Sequence, residues 1–226
     1  MNSKPKALTL LDILSLVLLA AATIMVFRFT PMERTMGLVQ KVFYFHVAAN
    51  WAGMLGFLVA AVAGGIYLSR GTRIWDIVGV AAVEVGLVFS LIGIITGSIW
   101  ARPIWNTWWT WDPRLVTVTV MELIYIAYFM LRQGIDDPGR RARYAAVYAI
   151  IGFISVPLTF LSIRMYRSIH PIVITSSSAQ LSPEMTRTFM FSLLTFTVIS
   201  VDLLWHRIRL GQLQERIEQL RIQRNA

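Results

Sequence analysis

The sequence predicts an all-α integral membrane protein with six transmembrane helices and both termini on the inner side, and three observations carry that prediction. Only 15% of the 226 residues are charged while 56% are hydrophobic, and the mean hydropathy is +0.62. An average soluble domain carries about 25% charged residues, so this chain has too little polar side chain to cover a water-exposed surface, which excludes a soluble enzyme. Six apolar runs reach or approach the roughly 20 residues that a helix needs to cross a hydrocarbon core of about 30 Å: Leu8–Phe27, Phe43–Leu68, Ile77–Ile99, Leu115–Leu131, Tyr144–Ile163 and Met185–Trp205. The fourth is the shortest. Each is continuous rather than alternating, which excludes barrel strands. Finally, with the N-terminus inside, thirteen of the 21 Lys and Arg fall on inner segments and eight on outer ones, the excess expected of cytoplasmic loops.

The elements follow in order. Leu8–Phe27 comes after Lys4 and Lys6 like a signal peptide, but a signal h-region is about 7 to 15 residues long, so it reads as a retained first helix. Close helix contact in lipid needs small residues. Gly56, Ala60 and Gly64 supply them on the second span, and Gly79, Gly86, Gly93 and Gly97 on the third, so these two helices are expected to pack tightly. Asp112-Pro113 reads as an N-cap and first helical residue for the fourth span, and Ser182-Pro183 does the same for the sixth. Pro157 should kink the fifth. Residues 1–205 thus form one transmembrane domain. Residues 206–226 form a cytoplasmic amphipathic tail helix, with Leu210, Leu213, Ile217 and Leu220 on one stripe; it suits either a membrane surface or a partner subunit.

The +9 charge is spread over both faces, whereas nucleic-acid binding needs it gathered on one soluble surface. With no cysteine, disulfides, thiolate metal sites, iron–sulfur ligation and a Cys nucleophile are all excluded. Asp12 and Asp202 near the inner face are expected to pair with basic ends. Glu84 and Glu122 lie within spans, and intramembrane carboxylates often mark ion paths. No internal repeat supports a secondary transporter, and interhelical hydrogen bonding is the simpler role.

Chemistry concentrates between the third and fourth spans, in residues 100–114. Five of the eight tryptophans lie between Trp100 and Trp111, too many for an aromatic belt that places one or two at each helix end. If this outer segment is an amphipathic helix, Trp105, Trp108, Trp109 and Asp112 share one face. A row of indoles there, with Trp111 beside it, suits a large planar aromatic ligand, and Arg102 and Arg114 could pair with carboxylates at its edge. His46 and His170 fall on the same outer side, while His206 is on the inner side. Two neutral imidazoles can hold a haem iron axially, whereas no histidine lies in the core of a span to hold a second haem. His46, His170 and Asp112 could alternatively form the two-His-one-carboxylate set of non-haem iron, but that would leave the tryptophans unexplained.

The run Trp105-Asn106-Thr107-Trp108-Trp109-Thr110-Trp111-Asp112-Pro113-Arg114-Leu115 closely resembles the WWD signature of the haem-handling proteins of cytochrome c maturation. With six spans, a short chain and flanking His46 and His170, the resemblance is to the haem exporter protein C (CcmC) family. Asn106 departs from the usual Gly, which bears on the local turn. Larger members, the synthases that attach haem to apocytochrome, carry further histidines within their spans, so a synthase-like component is the second reading.

The resemblance implies a non-enzymatic carrier in a bacterial inner (plasma) membrane. Haem b, as transient cargo, would sit on the periplasmic side between axial His46 and His170, against Trp105, Trp108, Trp109, Trp111, Asp112, Arg102 and Arg114. The implied partners are a membrane-anchored haem chaperone, ABC-type ATPase and permease subunits and a small membrane subunit. The chain itself has no P-loop and no Cys to trap haem as a thioether.

Overall fold

The computed structural model describes residues 4–171 and 181–225, and these hold six helical segments long and apolar enough to span a membrane. They are α1 (Lys6–Ile24), which continues as a π-helical turn over Met25–Phe29, α2 (Gln40–Arg70), α3 (Arg73–Trp105), α4 (Pro113–Gln133), the pair α5 (Pro138–Gly152) and α6 (Ser155–Met165) that makes up the fifth span, and α7 (Pro183–Asn225). The long lipid-type side chains Leu10, Leu16, Leu123, Met130 and Ile151 point outward, as expected where the surrounding solvent is hydrocarbon.

The most extensive pairing is α2 against α3, and its cause is the glycine pattern. A Cβ on Gly56 would lie 2.8 Å from Gly86 Cα, and one on Gly86 would lie 2.8 Å from the Phe57 ring. The backbones therefore touch, which only small residues allow. Gly64 makes its close approach elsewhere, to Ala146 of α5, where a Cβ would meet the carbonyl oxygen at 2.9 Å. Inside the bundle, Phe57 stacks on Tyr125 at 3.7 Å between ring centres and Tyr128 is buried nearby.

Pro157 breaks the fifth span as expected. Its missing N–H leaves the preceding turn loose: Val156 N bonds back only three residues to Phe153 O, Ser155 Oγ donates to Gly152 O, and the next long bond, Leu158 N to Ile154 O, is stretched to 3.4 Å. The fourth span is a full helix of 21 residues. The tail has no backbone boundary, since α7 runs unbroken for 43 residues. Beyond Trp205 it meets α3, where Arg207 pairs with Glu84, Arg73 donates to Glu215 at 3.1 Å, and Gly211 fits against Ile77. Glu84 is thus an ion-pair partner between α3 and α7. Nearby, buried Asp76 is held by Arg73 at 2.5 Å and Arg132 at 2.6 Å.

Candidate functional site

At the opposite end of the bundle, α2, α3, α4 and the loop after α6 line a partly open cavity of about 60 Å³. Its aromatic wall comes from Trp100, Trp105, Trp108 and Trp109, and His46 and His170 both face it.

His46 is fixed by helix packing. Its Nδ1 lies 2.8 Å from Gly93 O, with Thr96 Oγ1 at 3.4 Å, and Asn50 Nδ2 donates to His46 O at 2.9 Å. A carbonyl can only accept, so Nδ1 carries the proton and Nε2 keeps its lone pair. The glycines of α3 make this possible: a Cβ on Gly97 would lie 2.8 Å from His46 Cε1, and one on Gly93 would lie 2.4 Å from Asn50 Nδ2.

His170 sits on a loop tied down by Asp112. One carboxylate oxygen of Asp112 accepts from Arg114 N at 2.9 Å and Ser168 Oγ at 2.9 Å, and the other accepts from Ile169 N at 2.8 Å. His170 N in turn donates to Ser168 Oγ at 3.0 Å, and its Nδ1 lies 3.2 Å from Pro171 O. Asp112 is therefore both the helix cap that its place before Pro113 predicts and the anchor of the His170 loop. It does not line the cavity. Burial, reinforced by the Arg114 guanidinium, pulls the His170 imidazole down to about 4, so at neutral pH it is an uncharged donor.

The two ring centres stand 6.5 Å apart at an interplanar angle of 38°. An imidazole nitrogen binds a first-row metal at about 2 Å and lies about 1 Å from its ring centre, so two imidazoles on opposite sides of one iron have centres roughly 6 Å apart. The observed separation fits that arrangement.

The tryptophan segment departs from the expected amphipathic helix. Pro103 removes a helical N–H near the end of α3, and the helix stops at Trp105 because Asn106 turns into the left-handed region at φ 54°. Asn tolerates that conformation better than any residue but Gly, so the expected local turn survives the departure at this position. Trp105, Trp108, Trp109 and Asp112 consequently share no helical face. Trp105 reaches the cavity from the end of α3, and Trp108 and Trp109 reach it by a loop path in which Thr107 Oγ1 donates to Trp109 O at 2.9 Å.

The indoles also form no flat row, since Trp100 meets Trp105 edge-on, 5.1 Å away at 87°, and Trp105 meets His170 at 6.5 Å and 65°. Trp111 is 81% exposed and outside the cavity, edge-on to Trp109 at 6.2 Å. Arg102 is turned away as well. Its guanidinium closes the end of α3 by donating to Asn106 O at 2.9 Å and Oδ1 at 2.5 Å. Arg114 does line the cavity, donating to Thr159 O and lying 5.0 Å over the Phe160 ring, with no carboxylate ion pair among the described residues. Sequence reasoning missed Trp100, Asn50, Ser168 and the role of Gly93 and Gly97. Asn50 stands four residues after His46, on the same helical face, and that spacing was the available signal.

The family profile described as Heme exporter protein C matches residues 1–223. The chain belongs to the Heme exporter protein C family. It is 29% identical over 218 residues to the Heme exporter protein C of Bradyrhizobium diazoefficiens, covering 90% of this chain and 81% of the relative. It is 30% identical over 199 residues to that of Escherichia coli K12, covering 88% and 81%. A third Heme exporter protein C, from Rhodobacter capsulatus, is 35% identical over 133 residues, 59% of this chain and 55% of the relative. These matches agree with the resemblance carried by the tryptophan signature.

Proposed function

We propose that the protein holds haem b as transient cargo, with its iron between His46 and His170, and passes it to a membrane-anchored haem chaperone during cytochrome c maturation. The observation that carries the reading is the pair of imidazoles with centres 6.5 Å apart, facing a cavity walled by four tryptophans. Each ring has its Nδ1 on a backbone carbonyl, which leaves Nε2 as the ligand and raises its basicity. Apolar indoles supply burial for the macrocycle, and Arg114 is the cation placed to meet a propionate. Asp112 acts as a positioning residue that holds the His170 loop. The chain's own work is binding and orientation, and any ATP hydrolysis belongs to an ABC-type ATPase working with permease and small membrane subunits. In this reading the haem end faces the periplasm, and the end carrying His206 faces the cytoplasm.

Haem titration of the purified full-length protein tests the proposal. Wild type should give the low-spin spectrum of a bis-imidazole iron. His46→Ala and His170→Ala should each lose it, and His206→Ala should keep it. Equal spectra in all three variants would refute the axial assignment.

A further inference from the structure

At the end of the bundle away from the tryptophans, α1 and α7 bring together Asp12, Asp202 and His206, the one such trio among the described residues whose ligating atoms all lie within 4.8 Å of one another. Asp202 and His206 stand one turn apart on the same face of α7. His206 Nε2 is 2.7 Å from Asp12 Oδ1 and 3.7 Å from Asp202 Oδ1. Lys4 pairs with the other oxygen of Asp12.

Ion pairing alone leaves a remainder. Asp202 is only 7% exposed, and its Oδ1 is fully buried and accepts no hydrogen bond. A buried acceptor left in that state costs about 1 to 3 kcal/mol, and neither Lys4 nor His206 comes within hydrogen-bond range of it. On α1, Ser15 is also buried, with its hydroxyl unbonded, one turn from Asp12 on the same face.

We propose that Asp12, Asp202 and His206 form a binding site for a divalent first-row cation, of which zinc is the reference, clamping the first span to the last. Metal bonds to imidazole nitrogen and carboxylate oxygen are about 2.0 to 2.2 Å long, so ligand atoms about one ion stand from roughly 3 to 4.4 Å apart. The trio reaches that spacing with shifts of a few tenths of an ångström. One imidazole with two carboxylates favours zinc or manganese over magnesium or calcium, which take oxygen alone. Binding uses the Nε2 lone pair of neutral His206, so the proton that Nε2 now shares with Asp12 moves to Nδ1 or leaves to solvent. Lys4, held on the other oxygen of Asp12, keeps a positive charge beside the incoming cation and so opposes its binding. The clamp matters because α1 packs on the bundle chiefly through α7.

The test uses the full chain in detergent, without an affinity tag, titrated with zinc chloride against a fluorescent zinc chelator. Wild type should bind one zinc per chain. Asp202→Asn and His206→Gln should each weaken it at least tenfold, and Lys4→Ala should tighten it severalfold. Size-exclusion profile and tryptophan fluorescence check that each near-isosteric variant remains folded. Failure of wild type to take up zinc at micromolar concentration, or unchanged zinc affinity in both folded variants, overturns the site and leaves a purely ion-paired clasp.

Discussion

Gly97→Ala isolates the packing that aims His46. The added methyl carbon would sit 2.8 Å from His46 Cε1 and 3.1 Å from Nδ1, whereas carbon atoms rest about 3.5 to 4.0 Å apart. The imidazole must therefore retreat by roughly 0.7 to 1.2 Å. Its bond to Gly93 O, now 2.8 Å, then stretches beyond useful hydrogen-bonding distance. Losing the partner that orients a metal-binding histidine typically costs 10- to 100-fold in affinity, or about 1.4 to 2.8 kcal/mol. The fold should suffer little, because Ala is about 1 kcal/mol better than Gly in a helix, which offsets part of the overpacking cost of about 1 to 3 kcal/mol.

The assay is haem titration followed by absorption, with Gly65→Ala as control, since a Cβ on Gly65 meets nothing within 4 Å. Gly97→Ala should bind haem 10- to 100-fold more weakly, with loss of the low-spin band, while Gly65→Ala matches wild type. If Gly97→Ala keeps both affinity and spectrum, His46 is either not a ligand or not held by this contact.

Three further outcomes follow from the same geometry. Asp112→Asn should keep the cap on Arg114 N, since Asn caps about as well as Asp, yet it cannot present two acceptor oxygens to Ser168 and Ile169; haem-chaperone formation in cells should fall for Asn as well as for Ala, and wild-type yield from Asp112→Asn would show that only the cap matters. Trp108→Ala or Trp109→Ala should reduce haem or chaperone capture far more than Trp75→Ala, because Trp75 lies at the opposite end of the bundle; equal damage in a capture assay would point to folding. His170 should stay neutral to acid: its folded value of about 4 lies below the ordinary 6.5, so its contribution to stability is complete above pH 6.5 and is lost as pH falls from there through 4, and an imidazole NMR titration with a midpoint near 6.5 would contradict its burial.

The fold was legible because hydrocarbon imposes a length and a composition on each span, and both can be read without knowing what the span touches. The kink at Pro157 and the caps at Asp112 and at Ser182, whose Oγ accepts from Met185 N at 3.3 Å, were legible for a similar reason, since they depend on chemistry within a few residues. The site was legible in its ingredients, His46, His170, Trp105, Trp108, Trp109 and Arg114. It was illegible in its arrangement, because a short indole-rich run can be wound or looped at nearly equal local cost. Here the outcome was set by Asn106 turning left-handed just after Pro103. Trp111 and Arg102 share the composition of the site yet face away from it, and no pattern within the segment distinguishes them from their neighbours. Gly93 and Gly97 were visible as packing residues, but which side chain they make room for depends on the register of α2 against α3. That register is tertiary information.

The two imidazoles are held by different means, and the difference bears on how cargo would leave. His46 belongs to a helix whose backbone is in contact with α3, so any displacement works against the most extensive helix pairing among the described residues. His170 belongs to a loop whose attachment is a few hydrogen bonds gathered on the single carboxylate of Asp112 and relayed through Ser168. Hydrogen bonds to a charged acceptor contribute about 1.5 to 3 kcal/mol each, enough to order the loop and small enough to be exchanged for bonds to a partner. A carrier must grip its cargo and also let it go. On the proposed function, release of haem to the chaperone therefore starts at the His170 side, with His46 holding the haem until the transfer is made.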